Sequence, residues 1–209
     1  MRAGVLNKGL TRVPRGGVVA PRGLAYDARR NGGEITMQPS NAAPLPALDH
    51  EAFLRRSFDV ARKAREGGDH PFGSILVGPD RAILREQGNG FSAEGGDMTA
   101  HAERLLATWA SKTLSPEVLA GSTLYTSAEP CAMCAGAIYW AGIGRVVYGQ
   151  SEKDLKALTG AHAENPTLDL PCRAVFAAGQ RAVDVIGPLL EDEAAALQRD
   201  FWAEKKARP

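Results

Sequence analysis

Apolar residues recur at helical spacing in the first globular stretch of the chain. Phe53, Leu54, Phe58 and Ala61 share one side, and Arg55, Arg56, Arg62, Lys63 and Arg65 fill the remaining turns. This pattern predicts a helix that starts from an Asp49 cap, runs to about Glu66 and stops at Gly67-Gly68. The period then changes. Residues 72–77 read as a strand, Gly78-Pro79-Asp80-Arg81 as a turn and residues 82–87 as the partner strand of a hairpin. A glycine-rich loop over 88–97 leads into a run of helix formers over 100–110, with Asp97 or Thr99 available as its cap. A strand over 122–126 precedes a short apolar helix over 132–141, and a Val-Val-Tyr strand follows over 145–149. A short helix over 152–158, a loop to Pro171, a short helix over 172–178, a strand over 183–186 and a helix from about Glu191 complete the pattern. Strands alternating with helices predict a layered α/β domain.

The segment before residue 49 reads differently. It carries Arg2, Lys8, Arg12, Arg15, Arg22, Arg29 and Arg30 against only Asp27 and Glu34, with Gly-Gly at 16–17 and 32–33 and no steady hydrophobic period. No apolar stretch with a small-residue cleavage site follows the basic start; the Arg-rich, acid-poor composition leaves an organelle transit peptide as an alternative, against which stand the missing serine enrichment and amphipathicity. A disordered extension over 1–48 is expected, with Met37 as the natural start and one domain over 49–209. A net charge of +1 makes no electrostatic case for nucleic acid or membrane. Three cysteines do not build a disulfide framework, so a cytoplasmic setting is expected. No apolar run approaches the ~20 residues that span a bilayer.

Chemistry concentrates in His101-Ala102-Glu103 and Pro130-Cys131-Ala132-Met133-Cys134. Zinc takes tetrahedral nitrogen and sulfur ligands, and a catalytic site keeps one position open for water. His101, Cys131 and Cys134 would supply three ligands, and Glu103 lies close enough to face a bound water without occupying the metal. A closed structural site that adds Cys172 is the competing arrangement, but it leaves Glu103 without a role. Cys172, in the apolar Cys172-Arg173-Ala174-Val175-Phe176, reads as a small buried hydrophobe. A zinc-stabilised interaction module is the non-enzymatic alternative, and Glu103 again argues against it. His50, His70 and His162 have no ligand-like spacing, and surface or loop positions are expected for them.

With these motifs the chain resembles the cytidine/deoxycytidylate deaminase superfamily of zinc-dependent nucleobase and nucleoside deaminases. The resemblance implies a three-layer α-β-α domain with a central five-stranded mixed sheet and helices on both faces. It also implies Zn2+ as cofactor, Glu103 as the proton shuttle and a homodimer assembled through the zinc-site helices. Pro71-Phe72-Gly73, Thr126-Ser127-Ala128-Glu129-Pro130-Cys131 and Ala137-Ile138-Tyr139-Trp140-Ala141 look like the bacterial guanine deaminases of this group. There an asparagine after the second strand binds the purine, and Asn89 matches it by position; from the residues alone Asn89 is an ordinary turn residue. Phe72 and Trp140 are expected to wall the substrate pocket, with Ala102 beside the catalytic acid. An acidic residue after the fourth strand binds the 2-amino side of the base in that group, and Glu164 is the nearby carboxylate here. The substrate implied is therefore a small nucleobase or nucleoside, a guanine-like purine in preference to a cytosine-like base. Cys131-Ala132-Met133-Cys134-Ala135-Gly136-Ala137 also resembles the tRNA adenosine deaminases. A tRNA substrate would draw on Lys205, Lys206, Arg208 and the first helix's basic residues.

Overall fold

The computed structural model describes residues 48–160 and 162–207, together with the backbone of two short strands, β1 (Arg30–Asn31) and β2 (Glu34–Ile35). β1 and β2 pair antiparallel, with Arg30 opposite Ile35. They belong to a unit over Met1–Ala42, and all other elements belong to a second unit over Ala43–Pro209. Apart from that ribbon and Leu48, the expectations for residues 1–48 lie outside the described residues.

In the second unit, α1 (His50–Glu66) starts where the Asp49 carboxylate accepts the Ala52 amide at 3.0 Å, as expected of that cap. The hairpin is β3 (Gly73–Val77) and β4 (Ile83–Gly88), and α2 (Ala102–Thr113) and α3 (Pro116–Gly121) follow. Then come β5 (Thr123–Ala128), α4 (Ala132–Ala141), β6 (Arg145–Gln150) and α5 (Glu152–Thr159). α6 (Cys172–Ala177), β7 (Asp184–Ile186) and α7 (Glu191–Ala207) complete the unit. The sheet runs β4-β3-β5-β6-β7. β3 is antiparallel to both its neighbours, whereas β5, β6 and β7 are parallel. α4 is the crossover that a parallel β5–β6 pair requires.

Alternation along the strands divides the core in two. Ile75, Val77, Tyr125 and Val147 pack with Leu54, Phe58 and Ala61 of α1 and Ala194 and Leu197 of α7. Leu76, Leu124 and Val146 point the other way, onto Leu106 and Ala110 of α2, Ala135 and Ile138 of α4, and Phe176 of α6. The result is the expected mixed five-stranded sheet between two helical layers. α1 lies so close to the sheet that a Cβ at Gly73 would stand 2.4 Å from the Ala61 nitrogen, which explains a glycine at the start of a buried strand. No helix among the described residues is long and apolar enough to cross a membrane.

Three local expectations are corrected. α3 went unread, because six residues are too few to display a period; its signal is the Ser115 cap followed by Pro116 at the first position. α2 begins at Ala102, and neither Asp97 nor Thr99 caps it: His101 is the N-cap, and Asp97 instead accepts the Thr99 amide at 2.8 Å in a local turn. His70 keeps the loop position expected of it but is buried rather than superficial. Its ring stacks on Phe91 at 4.7 Å and its Nε2 lies 2.8 Å from Glu164, which also meets Lys205 of α7 at 2.7 Å.

Burial pulls the His70 imidazole below its ordinary value, although Glu164 opposes the shift. Hydrogen bonds from Lys205 and His70 hold the Glu164 carboxyl below the usual carboxylate range. Both groups therefore bind protons less readily when folded than when unfolded. The stability they contribute is present above their ordinary values and is lost as pH falls through the lowered ones. The thermal midpoint is expected to drop between about pH 7.5 and about pH 5, and to drop less in His70→Gln. Identical slopes in the two proteins, read by calorimetry, would contradict this.

Candidate metal centre and active site

The N-termini of α2 and α4 meet. His101 is the N-cap of the first and Cys131 of the second, and neither side chain makes a capping hydrogen bond. Their side chains turn to each other instead. His101 Nδ1 lies 3.6 Å from Cys131 Sγ and 3.5 Å from Cys134 Sγ. The three donor atoms stand within 4.8 Å of one another. Nitrogen at about 2.0 Å and sulfur at about 2.3 Å from one tetrahedral centre would be about 3.6 Å apart, so the spacing fits zinc.

The charges fit as well. The Cys134 hydrogen bond, helped by His101 and opposed by burial, pulls the Cys131 thiol down to about 4. The positive end of the α4 dipole favours the same thiolate. Cys134 is pushed the other way, by the Cys131 hydrogen bond and by burial. The pair thus keeps one proton between two sulfurs, and a dication is what lets both serve as thiolates. Cys172 is buried at the start of α6, with its amide donating to Glu129 Oε1 at 2.9 Å, and is not in the donor group. Among the described residues the donor set is three, not four, which leaves a tetrahedral ion one open position.

Glu103 sits in the first turn of α2, on the same helix end as His101, and is 5% exposed. Burial raises its carboxyl above the usual range, against the opposing pulls of His101 and of the Thr126 hydroxyl, which donates to Oε1 at 2.5 Å. Ser74 Oγ donates in turn to Thr126 Oγ1 at 3.0 Å. A cleft of about 370 Å³, its open mouth included, spans His101, Glu103 and Cys131, and Phe72, Ala128 and Leu155 supply apolar walls. Its remaining polar groups are Glu129, Glu152 and Asn165.

Of the residues expected around the substrate, Phe72 lines this cleft. Ala102 is fully buried beside Glu103 and does not line it. Asn89 is buried, but its Oδ1 accepts the Phe91 amide at 2.9 Å in a turn, and it is not among the lining residues. Trp140 requires a correction. It is 86% exposed and does not wall the cleft, because it lies nine positions along α4 from Cys131, about 13.5 Å of helix rise. Glu164 is turned away into its pairing with His70 and Lys205, and its neighbour Asn165 reaches the cleft instead.

Glu129 and Glu152 were not anticipated. Glu129 directly follows β5 and accepts the Glu152 amide at 3.0 Å, tying the start of α5 to the site. Burial, and then the negative charges of Cys131, Glu129 and Glu103, hold the Glu152 carboxyl up at about 8. The signal that points to both residues is topological. In parallel α/β sheets ligands bind beyond the carboxyl ends of the strands, and these two follow the carboxyl ends of β5 and β6.

Comparison with known proteins agrees with this geometry. The profile of the cytidine and deoxycytidylate deaminase zinc-binding region matches residues 48–150. A probable cytosine deaminase of Schizosaccharomyces pombe is 40% identical over 151 residues, which are 72% of this chain and 91% of the relative. The chain belongs to the cytidine and deoxycytidylate deaminase family. Within that family, a tRNA-specific adenosine deaminase of Agrobacterium fabrum is 36% identical over 156 residues, 74% of this deaminase-family chain and 94% of the relative. The solved guanine deaminase of Nitrosomonas europaea superposes with a TM-score of 0.59 at 25% identity, covering 78% of this chain and 89% of that one. The family's zinc-binding region thus coincides with the His101, Cys131 and Cys134 donor set.

Elemental analysis of purified variants checks the donor assignment. Cys134→Ser is expected to lose bound zinc, whereas Cys172→Ser is expected to retain it; zinc loss from Cys172→Ser would restore the closed-site reading.

Proposed function

We propose that the protein catalyses hydrolytic deamination of a small amino-substituted nucleobase or nucleoside, with a guanine-like purine as the favoured substrate. The observation that carries this reading is a buried carboxylate that is not a metal donor. Glu103 opens onto the same cleft as a three-donor set and, with Glu152 and Asn165, supplies hydrogen-bonding groups for a heterocycle. A module that used zinc only for its fold would gain nothing from a desolvated carboxyl at that point, and burying one is costly.

Zinc, when bound, supplies a water activated for attack at neutral pH. Glu103 accepts a proton from the attacking water and passes it to the ring nitrogen beside the amino-bearing carbon. It later takes the second proton from the hydroxyl now on that carbon and delivers it to the leaving amine, so that water and the amino-heterocycle become an oxo-heterocycle and ammonia. Phe72 offers a face for the ring, and Leu155 and Ala128 keep water from its flank. Glu152 supplies the carboxylate that the guanine-deaminase resemblance assigns to Glu164. Its carboxylate lines the cleft and can accept from a donor group on the substrate, and guanine presents its 2-amino group as such a donor.

The tRNA-specific relative supports a second reading, the deamination of a tRNA adenosine. Against it stands the pairing of the basic side chains that a phosphate backbone would need. Arg55 meets Glu193 at 3.0 Å, Arg56 meets Glu86 at 2.6 Å, Arg65 meets Glu204 at 3.3 Å and Lys205 meets Glu164 at 2.7 Å. Assembly as a homodimer through the face of α4 draws support from the exposed Trp140.

Ammonia release should be measured across guanine, guanosine, adenine, adenosine, cytosine, cytidine and a tRNA. Turnover of guanine or guanosine is expected, and it is expected to vanish in Glu103→Ala, which should still bind zinc. Glu152→Gln is expected to raise KM for that substrate by about tenfold, the loss of one charge-assisted hydrogen bond. Turnover confined to tRNA, or an active Glu103→Ala, would overturn the reading.

A further inference from the structure

Two buried hydroxyls lie behind Glu103. Ser74 and Thr126 are opposite one another in the antiparallel β3–β5 register, and neither is exposed to solvent. They occupy the strand positions in step with Leu76 and Leu124, which fill the apolar layer against α2 and α4. By alternation alone, both positions should be apolar core. Polar groups buried at core positions cost stability unless each donor and acceptor is used.

Proton counting sets the direction of the chain. An ionised carboxylate only accepts, so Thr126 must give its one hydroxyl proton to Glu103 Oε1, at 2.5 Å. Thr126 can then only accept from Ser74, whose Oγ stands 3.0 Å away. The pair is therefore more than two hydroxyls satisfying each other, because its one free proton is committed to Glu103. With Oε1 engaged by Thr126, Oε2 is the oxygen that Thr126 leaves free, and Glu103 lines the cleft.

We propose that Thr126 is a positioning residue for the proton shuttle: held by Ser74, it pins Glu103 Oε1 so that the proton-carrying oxygen faces the metal centre and the base. The inference rests on the deaminase reading of the site and adds to it the residues that aim the carboxyl. Thr126 is suited to this because its β-branched side chain has few rotamers within a strand, so the hydroxyl stays directed at α2. The arrangement is rigid on both sides, since Thr126 lies in a central strand and Glu103 in a helix that shares the core layer on that face of the sheet. A group that must meet both water and substrate gains from such fixing, because proton transfer depends on heavy-atom approach within hydrogen-bond reach.

The test uses the zinc-loaded full chain and three variants: Thr126→Val, Thr126→Ser and Ser74→Ala. Thr126→Val is expected to lower kcat by about tenfold or more, with KM within about threefold of wild type and the zinc content unchanged. Thr126→Ser, which restores the hydroxyl, is expected to return kcat to within about threefold of wild type, and Ser74→Ala to fall between the two. A Thr126→Val enzyme within about twofold of the wild-type kcat, or equal losses in Thr126→Val and Thr126→Ser, would overturn the assignment. Should Thr126→Val fail to fold, Ser74→Ala decides: reduced kcat at unchanged KM supports the relay, and wild-type kcat overturns it. If the wild-type protein turns over no substrate, the deaminase reading itself fails. The crystal structure of Thr126→Val then decides the positioning claim, because a Glu103 carboxyl that stays in place without the hydroxyl refutes it.

Discussion

Burial on both faces of β3, β5 and β6 is the constraint on which the rest of the structure depends. Strands covered by helices on two sides must be apolar in both registers, and Ile75–Leu76–Val77, Leu124–Tyr125 and Val146–Val147 meet that demand. The crossover through α4 then follows, because parallel neighbours cannot be joined by a hairpin. So does the meeting of α2 and α4, which both pack on one face and begin near the same end of β5. The donor set is a consequence of that layering. His101 and Cys131 are adjacent because two helices start there, and each is the residue at which its helix starts.

Electrostatics at the site works against the fold and makes sense only through its chemistry. Glu103, Glu129 and Glu152 gather around a thiolate in a partly desolvated cleft, where each charge raises the cost of the others. Hydrogen bonds to charged groups return about 1.5–3 kcal/mol each, while removing a carboxylate from water costs several. Glu129 meets part of that cost by accepting the amides that open α5 and α6, at 3.0 and 2.9 Å. Glu103 has a single hydroxyl and Glu152 has no side-chain donor among the hydrogen bonds described. A divalent cation and a substrate bearing N–H groups are the species that balance the remainder, and that balance ties the family's zinc to this chain's own residues.

The candidate metal donors and the carboxylate proposed as proton shuttle were legible because the chemistry demands particular residue types close together in sequence. Cys131 and Cys134 sit about one helical turn apart at the start of α4, and Glu103 follows two residues after the His101 cap in the first turn of α2, so each pair stays at one helix end. Their neighbours were legible only in part. Phe72 reaches the cleft, whereas Trp140 does not, since a residue nine positions along a straight helix cannot fold back to the helix start. Glu164 and Asn165 are adjacent in a loop, and their opposite directions are set by His70 and Lys205, contacts 94 and 41 positions distant.

The sequence by itself determined the element order apart from α3, the two-faced strands and the donor set, because periodicity and ligand spacing are local properties that survive without knowledge of the fold. It did not determine which carboxylates face the cleft, that Asn89 spends its side-chain oxygen on a turn, or that Ser74 and Thr126 stand behind Glu103. Those features depend on strand register and on which helix packs on which face. A Ser–Thr pair 52 positions apart becomes a hydroxyl relay only when β3 and β5 align it beneath the first turn of α2.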